Sequence, residues 1–575
     1  MNKTLKGIGA SAGIAVSKAY LLVSPKFDIS DKPITNLDNE IKLYQEALNK
    51  TVTQLEKIKT VAIQKIGVDK AEVFDAHIQI VNDPEIKQEI INIIASTKVN
   101  GAFAIDYVFN KYHETFKNMQ DVYFKERAAD VLDVKKRILS VFLNIPLPDI
   151  ANISQEVILV AHDLTPSETA LLDKKYVKGF ITEVGGRTSH AAIMARTMEI
   201  PAVLGVNNIL ELIKNDCFIG LDGTNGEIEI EPKNIDDWKK RISIFLKEKE
   251  ELKKYINMSS VTTDGYQVKL GANIGKPIDA KTALTNGAEG IGLYRSEFLY
   301  MDNDHWPTEE EQFEGYKLVL KQMPDKLVII RTLDIGGDKK LSYYQFPQET
   351  NPFLGYRAIR FCLDNKDIFK VQLRALGRAS IYGKLGIMFP MIATIDEFKT
   401  AKLFAEATFA ELRKEGHKVS DQIQLGMMIE IPASAILAKA FGKYADFFSI
   451  GTNDLNQYTF ACDRMSQKVS YLYQPNNPSL LSLIKLTIDG GHHNKRWVGM
   501  CGEMAGDINS IPLLLGLGLD EFSMSATSIP KARMIVNHLS FEECKKIATK
   551  ALELETVDQV NNLVSNFLKQ KKLLY

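Results

Sequence analysis

Leu425-Gly426-Met427-Met428-Ile429-Glu430 is a short apolar run that ends on a carboxylate, and it sets the pattern for the second half of the chain. Similar runs recur beyond residue 260, most of them separated by a segment long enough for a helix. Eight β/α units over about 300 residues predict a closed (β/α)8, or TIM, barrel. The candidate strands are Val268–Ala272, Ile291–Tyr294, Leu327–Arg331, Leu385–Met391, Leu425–Glu430, Phe447–Gly451, Trp497–Cys501 and Glu521–Met524.

Polar side chains cluster where these candidate strands end. In barrels of this kind the active site lies at the carboxyl ends of the strands. We therefore expect a site built from residues at five of these ends. They are Arg295-Ser296-Glu297, Arg331-Thr332, Glu430, Asn453-Asp454 and Cys501.

Two arginines at neighbouring strand ends indicate an anionic substrate. The guanidinium groups of Arg295 and Arg331 match a phosphate or carboxylate bidentately. Arg357, in Gly355-Tyr356-Arg357, and Arg464, after the Asn453-Asp454 turn, would add to the cradle. Any one of these arginines alone would more often be a surface residue.

Two carboxylates at successive strand ends favour a hard cation. Glu430 and Asp454 offer only oxygen, and such a pair suits Mg²⁺ completed by substrate oxygens and water. Neither histidine nor cysteine lies beside them in the sequence, which argues against zinc.

Cys501 lies in Met500-Cys501-Gly502-Glu503, at a strand end that faces the same mouth. A thiol in that position can donate a proton or act as a nucleophile. The alternative is a small buried hydrophobic residue, which is the commoner fate of a free cysteine.

The N-terminal half centres on Gly185-Gly186-Arg187-Thr188-Ser189-His190, a glycine pair before a predicted helix. Thr188 and Ser189 are good N-cap residues, so His190 is placed in the first helical turn. Free N–H groups and the helix dipole favour an anion there. A neutral imidazole is also a competent nucleophile. The local sequence pattern does not decide between two roles for this stretch, a histidine that carries a phosphoryl group and a simple capping turn, and both are equally open.

The rest of this half divides into an α/β domain and a helical insertion. Residues 1–24 and 146–232 show strand character, and 25–145 show helical spacing of apolar residues. The inserted helices either provide a rigid apolar face on which a partner protein docks, or their apolar residues serve only to pack the helices together. Residues 233–258 predict a charged linker helix before a barrel domain at 259–575. Gly7–Gly13 is interpreted as a turn between strands rather than a dinucleotide loop.

Composition excludes several classes of protein. The chain has 575 residues with 71 basic and 72 acidic side chains, so no basic surplus suggests nucleic acid or an anionic membrane. No signal peptide and no membrane-spanning run are expected. The five scattered cysteines fit reduced thiols in a cytoplasm.

At this point the sequence resembles the Enzyme I family of the bacterial phosphoenolpyruvate:sugar phosphotransferase system, from Gly7 nearly to its end. The resemblance rests on the motifs already quoted and on five further stretches. They are Asp163–Thr169, Tyr294–Leu299, Arg331–Lys339, Asn351–Arg357 and Ser449–Leu455.

The resemblance implies a division of labour among the candidate residues. His190 takes a phosphoryl group on Nε2, and Cys501 protonates the enolpyruvate carbon to give pyruvate. Mg²⁺ is bound by Glu430 and Asp454. Phosphoenolpyruvate is held by Arg295, Arg331, Arg357, Arg464, Asn453 and Asp454.

The resemblance also implies partners. Phospho-His190 passes its group to the phosphocarrier protein HPr, docked on the inserted helices, and the family dimerises through its barrels.

Two alternatives share parts of the pattern. A dikinase or phosphoenolpyruvate synthase needs a further nucleotide-binding domain. A non-catalytic interaction protein would lack the full set of strand-end residues, and the nitrogen-regulatory paralogue normally carries an extra N-terminal sensory domain.

Overall fold

The computed structural model describes residues 3–23, 25–66, 73–118, 122–148, 150, 153–165, 168–169, 171–186, 189–301, 303–337, 339, 341–463 and 466–573. The chain forms two compact units, residues 1–249 and 250–575. Their boundary falls within a single helix, Ile235–Lys253. Each unit has its own hydrophobic core.

The first unit contains an eight-stranded mixed sheet within the described residues. Its strand order is β1-β8-β7-β3-β4-β5-β6-β2, with β3, β4, β5 and β6 parallel to one another. The strands are β1 (Lys3–Lys6), β2 (Ile8–Ser11), β3 (Ile14–Leu22), β4 (Val157–Ala161), β5 (Val177–Thr182), β6 (Ala202–Leu204), β7 (Phe218–Asp222) and β8 (Glu227–Ile230). Strand β8 has no counterpart among the candidate strands of the sequence. The stretch Gly7–Gly13, predicted as a turn between strands, instead contains β2, and only its ends at Gly7 and Gly13 connect neighbouring strands.

The long insertion between β3 and β4 is helical, as its spacing of apolar residues predicts. Asp83 caps the third helix by accepting hydrogen bonds from Glu85 N and Ile86 N, and Pro84 occupies its first turn. The insertion has a core of its own that includes Leu55, Ile90 and Val134. Its helices are Leu37–Ile66, Val73–Asn82, Pro84–Thr97, Gly101–Asn118 and Val122–Phe142. Shorter helices, His190–Met198 and Ile209–Leu212, lie between later strands.

The second unit is a closed parallel barrel, which confirms the predicted fold. All eight candidate strands are present in the described residues, with ends that differ by at most three positions. They are β9 (Lys269–Ile274), β10 (Ile291–Arg295), β11 (Leu327–Arg331), β12 (Lys384–Phe389), β13 (Gln424–Ile429), β14 (Phe447–Ile450), β15 (Trp497–Met500) and β16 (Glu521–Ser525). Strand β12 ends before Pro390, which lacks the N–H that would continue the ladder.

Helices surround the barrel and bury one face each against it. The longest show clear end signals, such as the capping box of Thr394 and Glu397. Their bounds are Asp279–Thr285, Glu297–Met301, Glu309–Gln322, Ile359–Asp364, Lys366–Ala379, Ile395–Lys414, Pro432–Ile436, Ala438–Phe441, Thr452–Thr459, Pro478–His493, Ile511–Leu517, Ile529–His538, Phe541–Leu552 and Val557–Gln570. Among the described helices of the chain, none is both long and apolar enough to cross a membrane.

Candidate active site

A cavity of about 520 Å³ opens at the carboxyl ends of the barrel strands. Its lining includes all but one of the barrel residues predicted from the sequence to bind substrate or metal or to act in catalysis. Those that line it are Arg295, Arg331, Arg357, Glu430, Asn453, Asp454 and Cys501. The remaining candidate, Arg464, lies outside the described residues.

Arg331, the last residue of β11, is fixed by a buried carboxylate. Its Nη2 donates to Glu297 Oε1 at 2.5 Å and lies 3.0 Å from Asp334 Oδ2. Burial favours the neutral form of Glu297, but Arg331 and Lys339 outweigh it and hold the pKa of that carboxyl below its usual value. The Arg331 guanidinium is therefore positioned before any ligand arrives.

Asp334 joins Arg331 to a second arginine that approaches from a loop. Arg357 Nη2 donates to Asp334 Oδ1 at 2.9 Å, and Lys339 Nζ donates to Asp334 Oδ2 at the same distance. Burial opposes the charge on Asp334, but these three cations hold its pKa well below the usual range. The same Arg357 lies 3.5 Å from Asp454 Oδ2.

We expect Asp334→Ala to destabilise the barrel by about 3–5 kcal/mol, because it leaves three cations in the cavity wall without their shared carboxylate. Urea unfolding of the full chain, followed by tryptophan fluorescence, measures the loss. Asp421→Ala is the matched control, since Asp421 pairs with Arg413 at 94% side-chain exposure. Its loss should cost less than about 1 kcal/mol. Equal losses in the two variants would contradict a structural role for Asp334.

Arg295, the last residue of β10, differs from its neighbours. Within the described part of the chain, no carboxylate or other acceptor pairs with its guanidinium, although it lines the same cavity. Arg331 and Arg357 hold fixed positions in the wall, so Arg295 is the arginine with the most donors left for an incoming anion.

Two acidic side chains line the cavity from the ends of successive strands. Glu430 follows β13 and accepts a hydrogen bond from Met391 N at 2.6 Å, and Asp454 lies in the first turn after β14. Burial, followed by repulsion from Asp454 and Asp334, raises the pKa of Glu430 to about 7. The ionised form of Glu430 would therefore be favoured by a cation bound beside it.

Cys501 follows β15 and is 4% exposed. Its thiol lies 4.0 Å from the Ile450 carbonyl oxygen, which accepts its weak hydrogen bond. Burial raises the pKa of Cys501 to about 11, against the smaller opposing effects of the Ser449 hydroxyl and Arg331. The sulfur therefore keeps its proton near neutral pH, which suits a proton donor better than a thiolate nucleophile.

Asn453 is held at the cavity edge beside Cys501. Its Oδ1 accepts from Tyr473 Oη and from Glu503 N, each at 3.3 Å. The amide nitrogen of the same side chain is a further potential donor toward a ligand.

His190 belongs to the first unit, where it begins the helix His190–Met198 as predicted. Ser189 is the N-cap, and its side chain accepts from Ala192 N at 3.3 Å. Gly185 has φ 111°, a backbone conformation that favours glycine and turns the chain into this cap. Arg187 and Thr188, also singled out in the sequence, lie outside the described residues.

The helix of His190 packs closely on the sheet through small side chains. Ala191, Ala192 and Ala195 are at most 3% exposed and belong to the core that contains Leu159 and Phe180. Arg196 Nη1 donates to Ala10 O at 3.0 Å and ties the last turn to β2. The helix is therefore held to the sheet along its buried face and at its last turn.

Sequence reasoning assigned no role to Glu297, Asp334 and Lys339, although it quoted the stretches that contain them. All three line the cavity: Glu297 and Asp334 accept from the arginines, and Lys339 donates to both carboxylates. Sequence spacing offered a signal for Asp334, which pairs with Arg331 three residues before it, but not for Glu297, which pairs with the distant Arg331. Among the described lining residues the cavity has four cations, Arg295, Arg331, Lys339 and Arg357, and five carboxylates, Glu297, Asp334, Glu430, Asp454 and Glu503.

Comparison with known proteins gives concordant matches along the chain. Family models described as the PEP-utilising enzyme N-terminal, mobile and PEP-binding domains match residues 6–127, 153–226 and 249–541. A phosphoenolpyruvate-protein phosphotransferase of Mycoplasma capricolum is 56% identical over 99% of both chains. One of Staphylococcus carnosus is 52% identical over 99% of this chain and 100% of its own. The solution structure of an Enzyme I (nEIt) protein, 38% identical, covers 42% of this chain and 99% of its own at a TM-score of 0.39.

Proposed function

The chain belongs to the phosphoenolpyruvate-protein phosphotransferases, a transferase family of PEP-utilising enzymes, and we propose that it phosphorylates its own His190 from phosphoenolpyruvate and passes the group to HPr. The observation that carries this proposal is the strand-end cavity, which gathers arginines, two hard-cation ligands and a protonated thiol. Phosphoryl transfer needs charge stabilisation and positioning more than covalent help, and this cavity is built for both.

Phosphoenolpyruvate presents a phosphate and a carboxylate, and the arginines are suited to both. Arg331 and Arg357, held by Asp334, would supply fixed donors, while Arg295 and Arg464 would close on the anion. The Asn453 side chain and the backbone at Asp454 complete the proposed contacts. Binding then requires little rearrangement of the buried wall.

The donor set of Glu430 and Asp454 fits Mg²⁺. Both ligands are carboxylates on successive strand ends, and magnesium prefers oxygen ligands. In the described part of the chain no cluster of three or more His, Cys, Asp or Glu side chains forms a metal cage. Substrate oxygens and water would therefore fill the remaining positions. The metal, when bound, would neutralise charge on the transferring phosphoryl group and the leaving enolate.

The proposed reaction balances with the residues of this chain. The His190 Nε2 lone pair forms the new bond to phosphorus while the bond from phosphorus to the enol oxygen breaks. The electrons released become the enolate of pyruvate, and Cys501 gives its thiol proton to the terminal carbon. Solvent then restores the proton on sulfur, and pyruvate leaves.

The other proposed features concern organisation and surroundings. The α/β domain, residues 1–24 and 146–232, would carry the phosphohistidine, and the helical insertion would dock HPr. The linker helix 233–258 would let the histidine serve first the barrel and then HPr. Homodimerisation through the barrel and a cytoplasmic location complete the proposal. The five cysteines are all free thiols, which agrees with a reducing compartment.

A relay experiment tests donor, metal and acceptor together. Phosphoenolpyruvate labelled in its phosphoryl group, added with Mg²⁺, should label the protein and release about one pyruvate per label. Purified HPr should then take up the label, and a chelator added at the start should prevent the first step. Labelling from ATP instead would favour the dikinase alternative. Label that forms but never moves to HPr would contradict the proposed acceptor.

A further inference from the structure

A second and larger cavity lies at the opposite end of the barrel, where the strands begin. Its volume is about 1030 Å³, and all its lining residues belong to the second unit. Lys269, Leu327, Lys384 and Glu521, the first residues of four strands, are among them. This cavity is separated from the carboxyl-end site by the barrel interior, which contains Phe447 and Ile329. The mechanism proposed above uses none of its residues.

Beside this cavity, glycines stand where bulky residues are usual in barrel interiors, and the Glu521 carboxylate occupies the space they leave. A methyl group on Gly271, Gly292 or Gly499 would come within 2.2–2.3 Å of a Glu521 carboxylate oxygen. The strands β9, β10 and β15 therefore each have a glycine beside the Glu521 carboxylate, where a larger side chain would collide with it. The glycines leave space for that carboxylate inside the barrel.

Glu521 itself is 8% exposed, and its carboxylate belongs to the cavity lining. In the described part of the chain its carboxylate makes neither a hydrogen bond nor an ion pair. Burial raises its pKa to about 8, with a smaller opposing effect of Lys269. A buried acid without a donor is costly to keep and needs an explanation.

Six other charged groups line the cavity: Lys269, Lys326, Lys384, Glu289, Asp325 and Asp520. Two of these carboxylates have partners outside the lining, because Arg533 Nη2 lies 3.6 Å from Glu289 and His492 Nε2 lies 2.8 Å from Asp520. The walls between rim and floor are apolar. Trp497 stacks on Phe447 with ring centroids 4.7 Å apart, and Ile329 and Leu385 lie nearby.

We propose that the amino-end cavity is a binding site for a small organic cation, a primary amine carried on an apolar body. The ammonium group would donate to the Glu521 carboxylate at the floor. The apolar body would lie between Trp497 and the aliphatic walls, where an aromatic ring has the best surface for contact. A charge-assisted hydrogen bond to the buried Glu521 carboxylate is the strongest contact this cavity offers.

Calorimetry with benzylamine on the full chain at pH 7 tests the site, with benzyl alcohol as the uncharged probe of the same shape. Benzylamine should bind saturably and about tenfold or more tighter than benzyl alcohol. Because burial raises the pKa of Glu521 to about 8, binding of a cation that ionises this carboxyl should release protons at pH 7. Titrations in two buffers of different ionisation enthalpy measure that release.

Two variants locate the contact. Glu521→Gln, which keeps shape and removes charge, should weaken benzylamine binding about tenfold or more and abolish proton release. Asp325→Asn, at an acid of the rim, should leave both unchanged. Equal affinity for the amine and the alcohol, the absence of saturable amine binding, or full affinity in Glu521→Gln would overturn the proposal. If Glu521→Gln does not fold, the two probes and the proton count on the unaltered chain decide.

Discussion

His190→Ala abolishes labelling of the protein by phosphoenolpyruvate, and this is the largest effect that we expect from any single substitution. The imidazole is the only proposed acceptor, and alanine offers no lone pair to phosphorus. The helix should survive, since its cap is Ser189 and its packing rests on alanines. Labelling is measured after quenching at alkaline pH, where a phosphohistidine persists.

Two measurements make the His190→Ala result specific. His113→Ala, on the helical insertion, should label as the unaltered chain does, because His113 contacts the Ala128 carbonyl oxygen and Glu114 and has no proposed role in the transfer. Binding of phosphoenolpyruvate to His190→Ala should be retained, since its proposed ligands all belong to the barrel. Labelling that persists in His190→Ala would refute the assignment.

The second large effect concerns Cys501→Ala. Removing a positioned general acid costs typically about 100- to 10,000-fold in rate, so pyruvate formation should slow by that order. Phosphoenolpyruvate should bind with nearly unchanged affinity, because the thiol is not among its proposed ligands. Without a proton, the enolate stays a good acceptor and takes the phosphoryl group back. Single-turnover release of pyruvate measures the effect.

Cys544→Ala is the matched control for Cys501. It removes another buried thiol, in the helix Phe541–Leu552 outside the barrel mouth, and should leave pyruvate release unchanged. An unchanged rate in Cys501→Ala would remove this thiol from the mechanism. Loss of substrate binding there would assign it a packing role in the cavity wall.

The barrel could be predicted from sequence because buried parallel strands appear as nearly continuous apolar runs. Polar residues at the ends of those runs indicated the cavity as well. The sequence pattern does not predict strand β8, because Glu227-Ile228-Glu229-Ile230 alternates over only four residues, although the strand lies between β1 and β7. A pattern so short does not distinguish a half-buried strand from a loop.

The charge network behind the arginines was beyond the reach of sequence reasoning for a different reason. Glu297 meets Arg331 and Lys339 across 34 and 42 residues, and Arg357 meets Asp334 from a separate loop. Such pairings depend on which loops fold back over the barrel mouth. The spacing of residues along the chain does not indicate which loops do this. The carboxyl ends of the strands, in contrast, lie at the same end of the barrel because of the geometry of the fold. The sequence pattern likewise predicts only that Glu521 begins a strand, because the glycines around its carboxylate come from strands that are distant in the chain.

The near balance of charge at the carboxyl-end cavity has a kinetic consequence. Among the described lining residues, four cations face five carboxylates, so these residues create no positive field that would draw a multiply charged anion from a distance. For the proposed substrate, phosphoenolpyruvate, encounters would then occur at the ordinary diffusive frequency, and the site would select its ligand only on direct contact. The flux of phosphoryl groups should follow the concentration of the donor and be little affected by the salt content of its surroundings.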